Sequence, residues 1–267
     1  MLTNTLLGLV IGIILALTGA GGGILAVPAL VFGAHQSVAQ AGPVGLLAVG
    51  MAAALGAVLG LRAGTVRYRA ALLISAAGMA LSPLGLWLAQ RIENRWLTLV
   101  FAMVLLFVAY RTYRQTNTPA SLSSDDAMDT PPCIRDADTG RFQWTAPCAR
   151  ALALSGGVAG VLSGLLGVGG GFVMVPALRR YTDLAMQSVV ATSLAVIALV
   201  SMTGVVSSAA AGTLNWSVAM PFSAGALAGM AGGRLIAARL AGPLLQQGFA
   251  IVSAMVAAGM MAKTLLG

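Results

Sequence analysis

The stretch Thr18-Gly19-Ala20-Gly21-Gly22-Gly23 interrupts an apolar run that extends from Leu6 to Phe32. A second stretch, Leu166-Gly167-Val168-Gly169-Gly170-Gly171, interrupts a similar run from Leu152 to Leu178. Each glycine costs a helix about 1 kcal/mol relative to alanine, so both stretches should break a helix. At membrane depth, broken backbone is tolerated only where it is buried in protein or lines a cavity. Two breaks inside membrane-length runs therefore predict a binding site.

The composition is that of an all-α polytopic membrane protein. Of the 267 residues, 58% are hydrophobic and 8% are charged, and the mean hydropathy is +0.92. Soluble domains contain about 25% charged residues. The long apolar runs lack the period-two alternation of a β-barrel. The net charge of +8 comes from Lys and Arg residues placed singly between apolar runs, so no nucleic-acid partner is expected.

The chain is an internal duplication with a constant offset of 148 residues and no gap. Each copy contains a glycine-broken segment followed by three apolar segments of about 20 residues, which is long enough to cross a bilayer as helix. We therefore divide the chain into a first transmembrane repeat (1–114), a polar acidic linker (115–150) and a second transmembrane repeat (151–267).

The broken segment allows two topologies, a discontinuous spanning helix or a re-entrant hairpin, because each arm of about 11 residues is too short to cross. If the segment spans, nine Lys and Arg residues lie on one side and six on the other. If it re-enters, the division is twelve against three. The positive-inside rule favours re-entry, which makes the repeats inverted, places the linker in the cytoplasm and places both chain ends outside.

The linker contains five of the seven acidic residues of the chain. With its Ser, Thr and Pro residues, it is predicted to be a solvated connector. Its two cysteines, Cys133 and Cys148, lack metal-ligand spacing and are interpreted as free thiols or as one optional disulfide. In a cytoplasmic linker they are expected to be reduced.

Inversion would bring the two glycine loops toward the midplane from opposite faces. Each following helix then points its N-terminus inward, with roughly +0.5 charge and several unpaired N–H groups. Two such termini can hold an anion without Lys or Arg. The alternative is that the glycines only permit close helix crossings, as expected for Gly8/Gly12 and Gly225/Gly229. The predicted substrate-binding residues are Thr18, Gly19, Gly21, Gly22, Gly23, Gly167, Gly169, Gly170, Gly171, Thr192 and Ser193.

The hydroxyl groups of Thr192 and Ser193 could donate a hydrogen bond to an anion or to a carbonyl of their own helix. Pro28 and Pro176, which follow the loops, are the predicted structural hinges. Each removes one N–H group, which should kink the second arm or end it early.

No charged residue lies deep in any apolar segment, and the sequence contains no phosphate-binding loop, metal cluster or nucleophile–base pair. We therefore expect neither an ATP-driven pump nor an enzyme, with no catalytic residue, metal or cofactor. A cation transporter is disfavoured because the interior lacks acidic ligands.

The duplicated GxGGGxxxxP motif, followed in the second half by Ala191-Thr192-Ser193-Leu194, resembles the TauE/SafE family of sulfite exporters and anion permeases, the sulfonate uptake permease group. The Gly-Thr turns Gly64–Tyr68 and Gly212–Trp216 are similar to that family too. The resemblance covers both halves and leaves out only the linker. In the first half, Ala41-Gly42-Pro43-Val44-Gly45-Leu46 replaces the Ala-Thr-Ser-Leu motif, which argues against a symmetrical site.

The resemblance implies a multi-pass protein of the bacterial inner (plasma) membrane that moves a small inorganic or organic sulfur anion, such as sulfite or an organosulfonate. Together with the repeat, it leads to the hypothesis of a secondary transporter with alternating access at a midplane site. The lipid bilayer is its surroundings, and a homo-oligomer is compatible with the sequence. The alternatives are an anion channel or uniporter of the same fold, and a non-transporting membrane subunit.

Overall fold

The computed structural model describes residues 2–18, 21–117, 133, 145–240 and 243–266. These residues form helices, with one isolated β-bridge between Cys133 and Thr182. In chain order the helices are α1 (Leu2–Thr18), α2 (Gly21–Gly33), α3 (Val38–Arg62), α4 (Tyr68–Arg91), α5 (Asn94–Asn117), α6 (Ala146–Leu166), α7 (Gly171–Tyr181), α8 (Met186–Ala210), α9 (Trp216–Leu240) and α10 (Pro243–Leu266).

The helices are those of a membrane protein. Five of them, α3, α4, α5, α6 and α8, are long and apolar enough to cross a bilayer. Their outward faces are apolar as well: Leu154 is 71% exposed and Met103 and Met202 are each 66% exposed. A helix that is apolar on all sides suits a lipid environment. The predicted all-α polytopic class is confirmed.

The internal duplication is visible in the helix boundaries and in the packing. Helices α3 and α8 both have 25 residues, and both their starts and their ends lie 148 residues apart. The principal contacts join helices of opposite halves. Helix α1 packs against α9 and, equivalently, α6 packs against α4, while α3 packs against α8 and α5 packs against α10. Each half therefore makes its largest helix–helix contacts with the other half.

Glycine allows the helix backbones to touch where the halves cross. A Cβ atom on Gly8, Gly12, Gly225 or Gly229 would overlap a backbone carbonyl group across the α1–α9 contact. Gly160 meets the backbone of α4 equally closely. The prediction that the first four glycines permit close crossings is confirmed, and the same holds for the α4–α6 contact.

Each glycine break folds its two helices into an antiparallel hairpin. In the first hairpin, a Cβ atom on Gly22 at the start of α2 would lie 2.5 Å from the backbone nitrogen of Leu15, near the end of α1. At the opposite end, Gly33 packs against Leu7. Helices α6 and α7 pair through Gly170 and Ala159. The arms are therefore arranged as in the hairpin alternative, and they do not form one collinear broken helix.

Most of these arms are longer than expected. Helices α1, α2, α6 and α7 have 17, 13, 21 and 11 residues. Helix α6 begins at Ala146 because the Thr145 side chain accepts a hydrogen bond from the Cys148 N–H and a proline occupies the first turn. The expectation that no single arm can cross a bilayer is wrong for α6, which is one of the five candidate spans.

A disulfide joins Cys133 to Cys148, and both residues are fully buried. The Cys133 N–H donates to the carbonyl of Tyr181 at the end of α7, at 3.2 Å, and Cys148 lies in the first turn of α6. The bridge thus connects the start of α6 with the end of α7. Of the two interpretations, free thiols or one disulfide, the structure has the disulfide, and the contact of Cys133 with the end of α7 brings it beside Cys148. The predictions for residues 118–132 and 134–144 of the linker lie outside the described residues.

Reduction of this disulfide should lower the melting temperature of the purified protein. A bridge between residues 15 apart contributes about 3 kcal/mol in the chain-entropy description. We expect dithiothreitol to lower the midpoint in a thermal-shift assay by several degrees. The Cys133→Ser variant should melt at that lower temperature with or without reductant. An unchanged wild-type midpoint on reduction would contradict the stabilising role.

Candidate functional site

The second glycine loop has a backbone that favours glycine. Gly167, Gly169 and Gly170 have φ angles of 72°, 75° and 69°, in the left-handed region that other L-residues rarely adopt. Gly167 ends α6 and donates its N–H to the Ser163 carbonyl at 2.9 Å. Gly170 is the residue before α7 and offers no side chain to cap it. Three left-handed residues in four turn the chain sharply between α6 and α7.

The two glycine breaks meet inside the protein. A Cβ atom on Gly23, in the first turn of α2, would lie 2.6 Å from the carbonyl oxygen of Val168 in the second loop. Cβ atoms on Gly23 and Gly169 would also lie 3.3 Å and 3.4 Å from the same Val49 methyl group. Of the first loop, Gly19 and Ala20 lie outside the described residues, and α2 begins at Gly21.

This meeting point lies near the middle of α3 and α8. Val49 is close to the midpoint of α3, and Ser201, which faces Gly169, is close to the midpoint of α8. We call Gly23, Val49, Val168, Gly169 and Ser201 the glycine junction. All five residues are buried, so the two breaks face each other and not the lipid.

The electrostatics of the junction follow from two helix N-termini. Helix α2 begins at Gly21 and α7 at Gly171, each within three residues of the junction. The first N–H groups of a helix have no acceptor inside the helix, and the aligned peptide dipoles place a partial positive charge there. The arrangement therefore favours a small negative group without a cationic side chain.

Two of the predicted site glycines, Gly22 and Gly170, make close contacts within the hairpins. Gly22 packs against the backbone of Leu15, and a Cβ atom on Gly170 would lie 2.7 Å from the carbonyl oxygen of Ala159. Both contacts lie between the two arms of one hairpin. For Gly22 and Gly170 the described contacts are thus those of close helix packing.

The second loop rests on two glycines of α3 that the sequence analysis did not select. Gly167 packs against the backbone of Gly42, and a Cβ atom on Gly45 would lie 3.0 Å from the Gly167 carbonyl oxygen. These glycines belong to the Ala41–Leu46 stretch that departs from the family motif. The sequence indicated this contact only through the departure from the motif, because the small residues of that stretch leave room for the loop.

The hydroxyl groups that were predicted to bind the substrate make hydrogen bonds within the protein. Thr192 is fully buried, and its Oγ1 accepts a hydrogen bond at 3.1 Å from the backbone N–H of Arg67, the residue before α4. Ser193 donates to the Val190 carbonyl at 2.8 Å, which is the bond back to its own helix. Thr18 donates to the Ile14 carbonyl at 2.7 Å. None of these contacts is made with the glycine junction.

Ser201 is the hydroxyl that the structure places at the junction. Its side chain is fully buried, and its Oγ has no hydrogen-bond partner among the described residues. A Cβ atom on Gly169 would lie 3.1 Å from this oxygen. Other buried hydroxyls, those of Ser75, Ser82, Ser163, Ser223 and Ser253, are in the same state, so it is the position beside Gly169 that makes Ser201 a candidate donor. The sequence offered no signal, because Ser201 lies in the middle of an apolar helix.

The two prolines do not end their helices. Helices α2 and α7 each continue for five residues beyond Pro28 and Pro176. The expectation of an early end is therefore wrong, since proline removes one hydrogen bond but neighbouring turns persist. The carbonyl groups of Ile24 and Phe172, four residues earlier, lose their helical donors as a result. Both carbonyls lie within one turn of the helix starts.

For a metal site, the part of the chain that the structure describes gives no support. No group of three His, Cys, Asp or Glu residues is close enough there to hold a metal ion.

The chain matches the sequence profile of the family described as Sulfite exporter TauE/SafE over residues 5–260. It is 29% identical to the Probable membrane transporter protein YunE of Bacillus subtilis (strain 168), over 82% of each chain. It is 26% identical to a Probable membrane transporter protein of Xylella fastidiosa (strain Temecula1), over 87% of this chain and 83% of the relative. No solved structure matches the chain.

The matched residues include both glycine breaks, all five candidate spans and the glycine junction. Both relatives are named as membrane transporters and align over most of their length. The chain therefore belongs to the sulfite exporter TauE/SafE family and is a multi-pass membrane transporter.

Proposed function

We propose that the protein is a secondary transporter of a small sulfur-containing anion, of the sulfite or organosulfonate type, that binds at the glycine junction. The observation that carries this proposal is the contact between the two glycine breaks at the starts of α2 and α7. Two helix N-termini and the unpartnered Ser201 hydroxyl supply donors to one point, near the middle of the helix bundle. The family description supports a sulfur oxyanion as the ligand.

The proposed mechanism is alternating access between two inverted repeats, 1–114 and 151–267, joined by the linker 115–150. The packing between the two repeats supports this mechanism, because each hairpin packs against a helix of the other repeat. The prolines of α2 and α7 are the proposed hinges. Relative rotation of the hairpins would open the junction to one side and then the other.

The basic residues support an orientation in the bacterial inner membrane with the linker in the cytoplasm, where Cys133 and Cys148 would be held as thiols and would form their disulfide only on oxidation. The starts of α4, α6 and α8 and the end of α7 pack together through Ala70, Cys148, Leu178 and Val189. We call this the linker end of the bundle. It carries Arg67, Arg69, Arg150, Arg179 and Arg180. By the positive-inside rule such an end faces the cytoplasm.

Replacing Ser201 with alanine should weaken anion transport without unfolding the protein. A hydrogen bond to a charged group contributes about 1.5–3 kcal/mol, so we expect the half-saturating sulfite concentration to rise about tenfold or more. The alanine keeps the Cβ atom that packs against Gly50. The measurement is sulfite uptake into proteoliposomes containing the purified protein.

Ser253→Ala is the matched control, because Ser253 is also fully buried in a helix with an unpartnered hydroxyl, but it lies on α10. It should leave uptake unchanged. Saturating uptake with counterflow supports the carrier, whereas fast non-saturating conductance supports the channel alternative. Absence of sulfite binding and uptake by the purified chain would overturn the proposed function.

A further inference from the structure

A line of contacts leads from the glycine junction to the linker end along the antiparallel helices α3 and α8. On α3, Gly50 faces Ser201, Gly56 faces Leu194 and Gly60 faces Ala191. We call this line the α3–α8 seam. From Gly50 to Gly60 it is about 15 Å long, at 1.5 Å per helical residue. The seam therefore connects the glycine junction with the linker end through contacts between α3 and α8.

Arg234 places a positive charge part of the way along the seam. It lies on α9, six residues before the helix ends, and its Nη1 donates to the carbonyl of Gly56 at 2.9 Å. Gly56 is six residues from Gly50, or about 9 Å along the helix. The side chain is half-buried and has no carboxylate partner among the described residues. Arg234 therefore lies deeper than the sequence analysis predicted for any charged residue.

Arg67 places a second positive charge at the outer end of the seam. The loop residues Thr65 and Val66 pack against Gly60, and the Arg67 N–H is bound by Thr192 of α8. This loop is thus fastened onto the seam. The Arg67 side chain is half-buried, and its Nε is buried without a hydrogen-bond partner in the described part of the chain. A guanidinium nitrogen in that state has an unused donor.

The two arginines have no counterparts in the other half of the duplication. At the offset of 148 residues, Arg67 corresponds to Asn215 and Arg234 to Leu86. The path from the junction to the opposite end therefore lacks these charges. Arg67 lies in the loop before α4 at the linker end, and Arg234 lies within α9, six residues before its end. An asymmetric pair on one side of a pseudo-symmetric site indicates a role on that side alone.

We propose that Arg67 and Arg234 form a second anion-binding site on the linker-end half of the α3–α8 seam. Its ligand is a small oxyanion with two or more exposed oxygens, which guanidinium groups bind through paired N–H donors. The site holds the anion between the linker-end solution and the glycine junction. The inference rests on the proposed function for its role in transport, whereas binding at the arginines is independent of it.

The test compares Arg67→Gln and Arg234→Gln with Arg69→Gln. Arg69 is the matched control, since it lies at the same end but is exposed and rests against the ring of Tyr68 at 6.0 Å. Sulfite uptake is measured in right-side-out and inverted vesicles. The linker-end face is assigned by labelling an R69C variant with an impermeant maleimide. Sulfite affinity of the purified proteins is measured by titration calorimetry.

We expect each seam variant to raise KM about tenfold from the linker end and less than twofold from the opposite end. Each should also weaken sulfite binding, while Arg69→Gln changes neither quantity. Equal KM changes at both ends, or unchanged KM and affinity, would overturn the seam site.

The outcomes separate the two proposals. Wild-type uptake that falls in Gly169 variants but not in the seam variants retains the junction and rejects the seam site. Sulfite binding that depends on Arg67 and Arg234 without any wild-type uptake retains the seam site and rejects the transport function. A seam variant that melts lower but keeps wild-type affinity and KM shows that the arginine only fastens α9 or the loop, and rejects the site.

Discussion

Gly169→Ala is expected to reduce sulfite uptake at least tenfold while the protein remains folded. The residue has a φ of 75°, where an L-residue costs about 1–2 kcal/mol. The new Cβ atom would also lie 3.0 Å from a methyl group of Ile197 and 3.1 Å from the Ser201 hydroxyl. Neither side chain can move away easily, because both are buried in the middle of α8. The loop must shift, which displaces the N–H groups proposed to bind the anion.

Gly212→Ala separates this effect from backbone strain. Gly212 has a φ of 68°, and a Cβ atom there would meet nothing within 4 Å. It therefore carries the same conformational cost without any contact with the junction. Uptake into proteoliposomes should be close to wild type for Gly212→Ala and at least tenfold lower for Gly169→Ala, at equal amounts of folded protein. Equal uptake by the two variants would remove the second glycine loop from the transport path.

Gly160→Ala should destabilise the protein strongly. The added Cβ would overlap the backbone of Gly78 on α4, which cannot rotate away as a side chain can. The two helices must separate, and forced overpacking of this kind costs about 1–3 kcal/mol or more. We expect a melting temperature several degrees lower than wild type in a thermal-shift assay in detergent.

Gly157→Ala is the control on the same helix. A Cβ atom at Gly157 would lie 2.9 Å from the end of the Leu81 side chain, which can change its rotamer. Alanine also favours a helix over glycine, so this variant should melt within about a degree of wild type or above it. If Gly160→Ala melts no lower than Gly157→Ala, the close α4–α6 contact does not stabilise the interlocked halves.

The comparison of glycines shows that one residue type has two roles in this protein. Gly8, Gly12 and Gly160 lie within helices and allow backbones of opposite halves to touch. Gly167, Gly169 and Gly170 have left-handed backbone and end or precede helices. The sequence distinguishes the groups only by spacing: glycines four apart predict a crossing, and clustered glycines predict a break. Within the clusters, contacts alone separate Gly23 and Gly169 at the junction from Gly22 and Gly170 in the hairpins.

The helical class, the duplication and the positions of both breaks could be predicted from the order of residues alone. Hydrophobic run length and glycine spacing are local properties, and they require no knowledge of which segments touch. For the same reason the starts of α3 and α8 at equivalent positions follow directly from the offset of 148 residues. The length of α6 was misjudged because its start depends on a cap at Thr145 outside the apolar run.

The side chains at the glycine junction and along the α3–α8 seam could be identified from tertiary contacts but not from the order of residues along the chain. Ser201 and Arg234 look unremarkable along the chain, because one is a serine in an apolar helix and the other a cation near a helix end. The roles proposed for them rest on contacts with Gly169 and Gly56, which belong to other parts of the chain. Thr192 matched the family motif, yet it bonds to Arg67. Such pairings depend on how helices from opposite halves pack, and no local pattern encodes that packing.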